Sequence, residues 1–267
     1  MDLWSACRET IHIGPLGGDL LRMVESQQQI ATTSLVDGLA EQALLEELIE
    51  RSKPPLRSGT ERLHDLLATP FRYPPLRHGL RFGTRFEPSL LYGARALPTL
   101  LAEVAFDRFL FWPAMEVHPP SGQLLTQHTQ FRARWRSERG VRMQAPPCAT
   151  YEIQLRHPSD YEVCQRLGSA LRENGVVAFE FLSARDPDRG INVALLEPEA
   201  LTTGPARRPR LAVRDPSRSH SLRLRGRARV VCSSGRSLHR RWFTAAPGGL
   251  TTVPSHSPLK VPISPGF

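Results

Sequence analysis

Beyond residue 204 the composition of the chain disfavours a packed core. Residues 205–267 carry 13 Lys and Arg but a single acid, Asp215. Prolines at 205, 209, 216, 247, 254, 258, 262 and 265 interrupt any long element. Val230-Val231 and Trp242-Phe243 are too sparse to form a core. The segment therefore reads as a largely disordered basic tail that touches nucleic acid, or as an out-of-frame version of the end of the gene. The abrupt loss of mixed apolar and acidic sequence favours the second. The same boundary explains the net charge of +9, because residues 205–267 carry +12 and residues 1–204 carry −3. A nucleic-acid-binding protein would have to rest on the arginine tail alone, without a recognisable binding fold or interleaved aromatics.

At 267 residues the chain can hold one large domain or two small ones, and its apolar content of 40% suffices for a core. No run of eighteen apolar residues exists, so no membrane span is expected. Met1-Asp2-Leu3-Trp4-Ser5 lacks the regions of a signal peptide. Cys7, Cys148, Cys164 and Cys232 are scattered without a C-x-x-C pair. That argues against a metal site or a disulfide framework and fits a cytoplasmic chain.

Along the body, residues 19–52 read as helical, with Val36, Leu39, Ala43, Leu44, Leu48 and Ile49 at helical spacing. This helix must bury its apolar face against its own domain or against a second copy in a homodimer. Leu63 to Leu67 suggests a short helix, and Pro70 to Leu76 a rigid extended connection. Residues 89–94 suggest a strand, and Pro98 fits the first turn of a helix running to about Phe111. Phe131 to Arg136 alternates like a strand with a basic face, and Tyr151 to Leu155 reads as a further strand. Ser159-Asp160-Tyr161-Glu162 is a capping-box pattern before a helix that Asn174-Gly175 stops. Strands follow at Val176 to Leu182 and Ile191 to Leu196. Helices and strands alternate without a regular βαβ repeat, so the fold class is α+β. No G-x-G-x-x-G or P-loop pattern is present. The expected division is an N-terminal helical extension over 1–60, a central domain over 61–204 and the tail over 205–267.

Four residues stand out, each with a bland alternative. Glu103 lies in the helix among Leu100, Ala102, Val104, Phe106 and Leu110, a half-apolar setting suited to a working carboxylate, although helical glutamates are usually solvated. Arg81 is one of many arginines. Tyr92, on an apolar strand, is more often core than a stacking surface. Ser183, at a strand end, is more often a turn residue. His64, His78 and His118 offer acid–base groups, with no pattern to favour them.

Order and spacing raise these residues together. Thr69-Pro70-Phe71-Arg72-Tyr73-Pro74-Pro75-Leu76, Arg81-Phe82-Gly83, Leu91-Tyr92-Gly93 and Ala102-Glu103 resemble the front half of a RES domain. Leu182-Ser183-Ala184-Arg185-Asp186-Pro187 and Asn192-Val193-Ala194-Leu195-Leu196-Glu197-Pro198 resemble its back half. Val24-Glu25-Ser26-Gln27 through Leu35-Val36-Asp37 resembles the helical extension of one RES subgroup, so the likeness covers roughly residues 20–204. The resemblance implies an ADP-ribosyltransferase-like mixed sheet with a central NAD cleft. It implies a bacterial toxin that cleaves the nicotinamide–ribose bond of NAD+, with phosphate or water as acceptor, or that transfers ADP-ribose to a protein. It requires no metal. It implies a cognate antitoxin, typically of helix-turn-helix type, through which nucleic acid is contacted indirectly. By the same resemblance Arg72 and Arg81 hold the NAD phosphates, and Tyr73 and Tyr92 line the nicotinamide–ribose pocket. Glu103 stabilises the oxocarbenium-like state, and Ser183 hydrogen-bonds near the nicotinamide or ribose. The residue types suit the task. Cleavage builds positive charge on the ribose, the pyrophosphate suits an arginine fork, and the pyridine ring needs an aromatic surface.

Overall fold

The computed structural model describes residues 2–25, 36–111, 117, 123–202 and 220–225. Helices α1 (Leu3–Cys7), α2 (Leu39–Ser52), α3 (Asp65–Arg72), α4 (Leu97–Phe111), α5 (Glu152–Leu155) and α6 (Glu162–Glu173) surround strands β1 (Gly14–Glu25), β2 (Leu91–Ala94), β3 (Gln123–Arg142), β4 (Ala178–Leu182), β5 (Ile191–Leu195) and β6 (His220–Arg225). The strand order is β1-β2-β5-β4-β3-β6, and β1 also pairs with β3. Strands β1, β2, β5, β4 and β3 therefore close into a ring, with β6 added along β3. All pairs are antiparallel except β3 with β4, so the sheet is mixed and mostly antiparallel, which fits the α+β class.

Alternation along the strands separates two sides. One apolar cluster draws on all five ring strands: Leu16 and Leu20, Leu91, Phe131 with Ala133 and Trp135, Ala178, and Val193 with Leu195. It is the inside of the ring, and Leu67 and Phe71 of α3 pack into it. The intervening residues of β3, Arg132, Arg134 and Arg136, face outward as the alternation predicts, and Arg132 pairs with Asp19 across the strands at 3.2 Å. Outside the ring, Tyr92, Phe179, Phe181 and Ala194 join Leu167 and Leu171 of α6 in a second cluster. Leu21, Met23 and Ala94 lie under Leu100, Leu101, Val104 and Ala105 of α4 in a third.

Several expectations are corrected. Among the described residues of the helix expected over 19–52, Leu39–Ser52 is helical, whereas residues 14–25 form a strand of the ring. Gly14, Gly17 and Gly18 weaken any helix there, while Leu20 and Leu21 on opposite faces suit a strand buried on both sides. The N-terminal stretch is thus not purely a helical extension. Pro70 was expected in an extended connection but lies inside α3. Burial of Leu67 and Phe71, worth about 2 kcal/mol each, offsets the roughly 3 kcal/mol cost of a helical proline. Tyr151 to Leu155 is not a strand but a 3-10 turn running into α5, with Ile153 exposed rather than alternating inward. At α6 the amide of Glu162 is capped by Asp160, at 3.0 Å, rather than by Ser159. Within the stretch read as tail, His220–Arg225 forms β6 against Gln123–His128 of β3. The rest of 205–267 lies outside the described residues, as do His118 and residues 26–35 of the expected long helix.

Candidate active site

Helix α4 begins with Pro98 in its first turn and packs its apolar side on β1 and β2. That packing turns the neighbouring flank, with Thr99 and Glu103, toward the end of β4. Glu103 is 8% exposed. Its Oε1 accepts two hydrogen bonds, from Ser183 Oγ at 2.5 Å and from Asn192 Nδ2 at 2.7 Å. Asn192 stands opposite Phe181 of β4 and Ala94 of β2, so its side chain leaves the ring on the outer face. Among the described residues its Oδ1 is buried without a hydrogen-bond partner.

Ser183 is fully buried, and its hydroxyl has every role assigned. It accepts the backbone N–H groups of Arg185, at 3.0 Å, and Asp186, at 2.9 Å. A hydroxyl has one hydrogen, so that hydrogen goes to Glu103. Burial pushes the Glu103 carboxyl above the ordinary carboxylate range. The bonds from Ser183 and Asn192, and then the guanidiniums of Arg185 and Arg81, act in the opposite direction.

Those two arginines are held in one cluster. The Arg81 guanidinium lies 4.3 Å over the Tyr161 ring and donates to the carbonyls of His157, at 2.9 Å, and Leu155, at 3.3 Å. Arg185 lies 3.3 Å from the centroid of Phe106 and donates to Tyr161 Oη at 2.9 Å. The Arg81 turn is seated by α6, where a Cβ on Gly168 would stand 2.1 Å from the Phe82 carbonyl oxygen. Only glycine allows that approach. The arrangement combines a buried carboxylate with two neighbouring guanidiniums, so it can stabilise developing positive charge beside a site for anionic oxygens.

Of the residues singled out in the sequence, Glu103, Ser183 and Arg81 come together. Tyr92 reaches the same region through the core. Its hydroxyl accepts the Phe82 N–H at 3.1 Å, its ring meets Phe181 edge-on, and burial raises its pKa. It holds the Arg81 turn rather than presenting an open stacking face. Arg72 is elsewhere. Helix α3 packs into the ring, and the guanidinium donates to the Pro54 carbonyl at 2.6 Å and pairs with Glu50 at 2.7 Å. Tyr73 follows it, half-buried, with its carbonyl accepting from Ser89 Oγ at 2.6 Å. The site residues that sequence reasoning did not single out are Asn192, Arg185, Asp186 and Thr99. Three of them lie inside the quoted back-half motifs, but their roles depend on strand register and loop closure. Thr99, one turn before Glu103, carried a signal only in its helical spacing. His64 caps α3, its Nδ1 accepting the Leu66 N–H at 3.2 Å. Among the described residues no group of His, Cys, Asp or Glu side chains is placed to hold a metal ion. No described helix is long and apolar enough to cross a membrane.

No curated protein matches the sequence. One solved structure similar to this chain is that of the M. tuberculosis MbcT–MbcA toxin–antitoxin complex. The match has 11% identity over 79% of this chain and 86% of that one, with a TM-score of 0.44. The RES domain family model matches residues 56–215, more than half of the chain and the whole of the Glu103, Ser183 and Arg81 arrangement. On that match the chain belongs to the RES domain family.

Proposed function

We propose that this protein cleaves the nicotinamide–ribose bond of NAD+ and passes the ADP-ribosyl group to phosphate or water. The observation that carries the reading is the buried Glu103 carboxylate, oriented by Ser183 and Asn192 beside Arg81 and Arg185, in a RES-family chain. The C–N bond breaks and its electron pair leaves with the pyridine ring, which departs as neutral nicotinamide. Positive charge is left on the ribose, and Glu103 opposes it in a site of low dielectric. An oxygen of phosphate then bonds to the same carbon, giving ADP-ribose 1''-phosphate. When water attacks instead, ADP-ribose forms and a proton is lost to solvent. Arg81 and Arg185 suit the pyrophosphate, and the unpartnered Asn192 Oδ1 suits a sugar hydroxyl. In this reading Arg72 braces α3 and is not a phosphate ligand.

The biological role that goes with this chemistry is that of a toxin restrained by a cognate antitoxin of helix-turn-helix type. Its support is the family, and co-purification with the product of the neighbouring gene tests it. The reaction itself is tested by incubating purified, folded protein with NAD+, with and without phosphate. Nicotinamide would be followed by chromatography, and the phosphorylated product by phosphorus NMR. Nicotinamide release is expected, with a sugar 1-phosphate only when phosphate is present. A folded protein that releases none does not have this activity.

A further inference from the structure

Thr99 lies four residues before Glu103, so the two side chains leave α4 on one face, a turn apart. Both reach the β4–β5 loop. Glu103 accepts from Ser183 at 2.5 Å, and Thr99 Oγ1 donates to Asp186 Oδ2 at 2.7 Å. Thr99 is 1% exposed and Asp186 2%. The other carboxylate oxygen of Asp186 accepts the Asp188 N–H at 2.9 Å, and the Asp186 N–H donates to Ser183 Oγ at 2.9 Å. The chain of bonds thus runs from Glu103 through Ser183 and Asp186 to Thr99, and closes through one turn of α4. The loop is gripped from behind by Arg156, which donates to the Ser183 carbonyl at 2.7 Å and the Asp186 carbonyl at 3.1 Å. Gly190 leaves no slack, because a Cβ there would stand 1.9 Å from Thr99 Oγ1 and 2.3 Å from Asp186 Oδ2.

We infer that Thr99 and Asp186 are positioning residues that latch α4 to the β4–β5 loop and thereby fix the Glu103 carboxylate against Ser183. The inference rests on the reading of Glu103 as the charge-stabilising carboxylate. The N–H groups of Arg185 and Asp186 occupy the Ser183 lone pairs and so fix its hydrogen toward Glu103. Those amides stay in place while the Asp186 side chain is tied to the helix. Removing the Thr99 hydroxyl unties the loop from α4 while Arg156 still holds it, so the bond from Ser183 weakens while Asn192, Arg185 and Arg81 still face the carboxylate. The Ser183 bond favours the ionised form, so its loss moves the titration of Glu103 to higher pH.

The test compares Thr99→Val, which keeps shape and loses the hydroxyl, with Thr99→Ser, which keeps the hydroxyl. Two readouts are taken on folded protein: NAD+ turnover, and the titration of the Glu103 carboxyl by carbon-13 NMR. For Thr99→Val the expected result is a fall in kcat of about tenfold or more with KM within a factor of about three, the signature of a contact felt only in the transition state. Its Glu103 titration should move to higher pH, and Thr99→Ser should restore both readouts to near wild type. Should Thr99→Val not fold, Gly190→Ala presses on the same contact while keeping every polar group, and the same shifts are expected. Unchanged titration and turnover in the variant that folds, or equal losses in the valine and serine variants, would overturn the inference. If wild-type protein cleaves no NAD+, the functional reading fails while the Glu103 titration still decides the latch.

Discussion

Glu103 is a carboxylate placed where ionisation is costly, and this gives it a double signature. Glu103→Gln keeps the shape and the acceptor oxygen but removes the charge. Turnover should fall roughly 100-fold, near 3 kcal/mol, the scale of losing one electrostatic group in the transition state, while NAD+ affinity changes little. Stability should move the other way. A carboxyl whose folded pKa is raised binds more protons in the native state than in the unfolded chain, so stability falls as pH rises from the ordinary carboxylate range through the folded pKa. Urea unfolding of wild type and Glu103→Gln across pH should therefore show the variant gaining relative stability as pH rises. A pH-independent difference would contradict the raised pKa. Ser183→Ala has a different cost. It leaves the buried Asp186 N–H without its acceptor, at about 1–3 kcal/mol, and the part-buried Arg185 N–H as well, at less. A fall in unfolding free energy together with turnover is expected, and loss of turnover with unchanged stability would show that the hydroxyl does not bridge the loop.

At the scale of elements, the sequence was most informative where a pattern is local. The α4 helix after Pro98, the β3 alternation of Phe131, Ala133 and Trp135 against arginines, and the Asn174-Gly175 stop all rest on neighbours along the chain. The errors lie where partners distant in sequence decide. Leu20 and Leu21 bury on two faces of β1 because β3 and α4 supply the covering surfaces, and nothing near residue 20 announces that. Pro70 is helical because the ring interior accepts Leu67 and Phe71. The site divides in the same way. Arg81, Glu103 and Ser183 were legible as an ordered motif, whereas Asn192 reaches Glu103 only through the register of β5 against β4 and β2. Arg72 matches the motif less closely than these three, and its guanidinium is held by Pro54 and Glu50. The close seat of α6 on the Arg81 turn gives an element-level prediction. Gly168→Ala places a methyl group against the Phe82 backbone, so it should destabilise the fold by about 1–3 kcal/mol and weaken NAD+ binding through Arg81. Equal thermal midpoint and equal KM would show that α6 can move away freely.

For the molecule as a whole, closure of the ring is the controlling feature, and β1 closes it. Residues Gly14–Glu25 pair with β3 from Gly140 to His128 and meet β2 through Leu21 and Ala94. Without β1, β2 and β3 each lose a neighbour, and the cluster inside the ring loses Leu16 and Leu20. The α4 packing loses Leu21 and Met23, so the helix that carries Glu103 is left without part of its bed. Four buried apolar side chains at about 2 kcal/mol each amount to most of a typical domain's net stability, before any ladder hydrogen bonds are counted. Removing residues 1–35 should therefore abolish cooperative folding and not merely trim an appendage. The prediction separates a strand of the core from a detachable N-terminal extension, and the truncated chain should show no sigmoidal urea transition and no NAD+ cleavage. A truncated protein that unfolds cooperatively with the m-value expected for its length would show that β2 and β3 can close the sheet on their own.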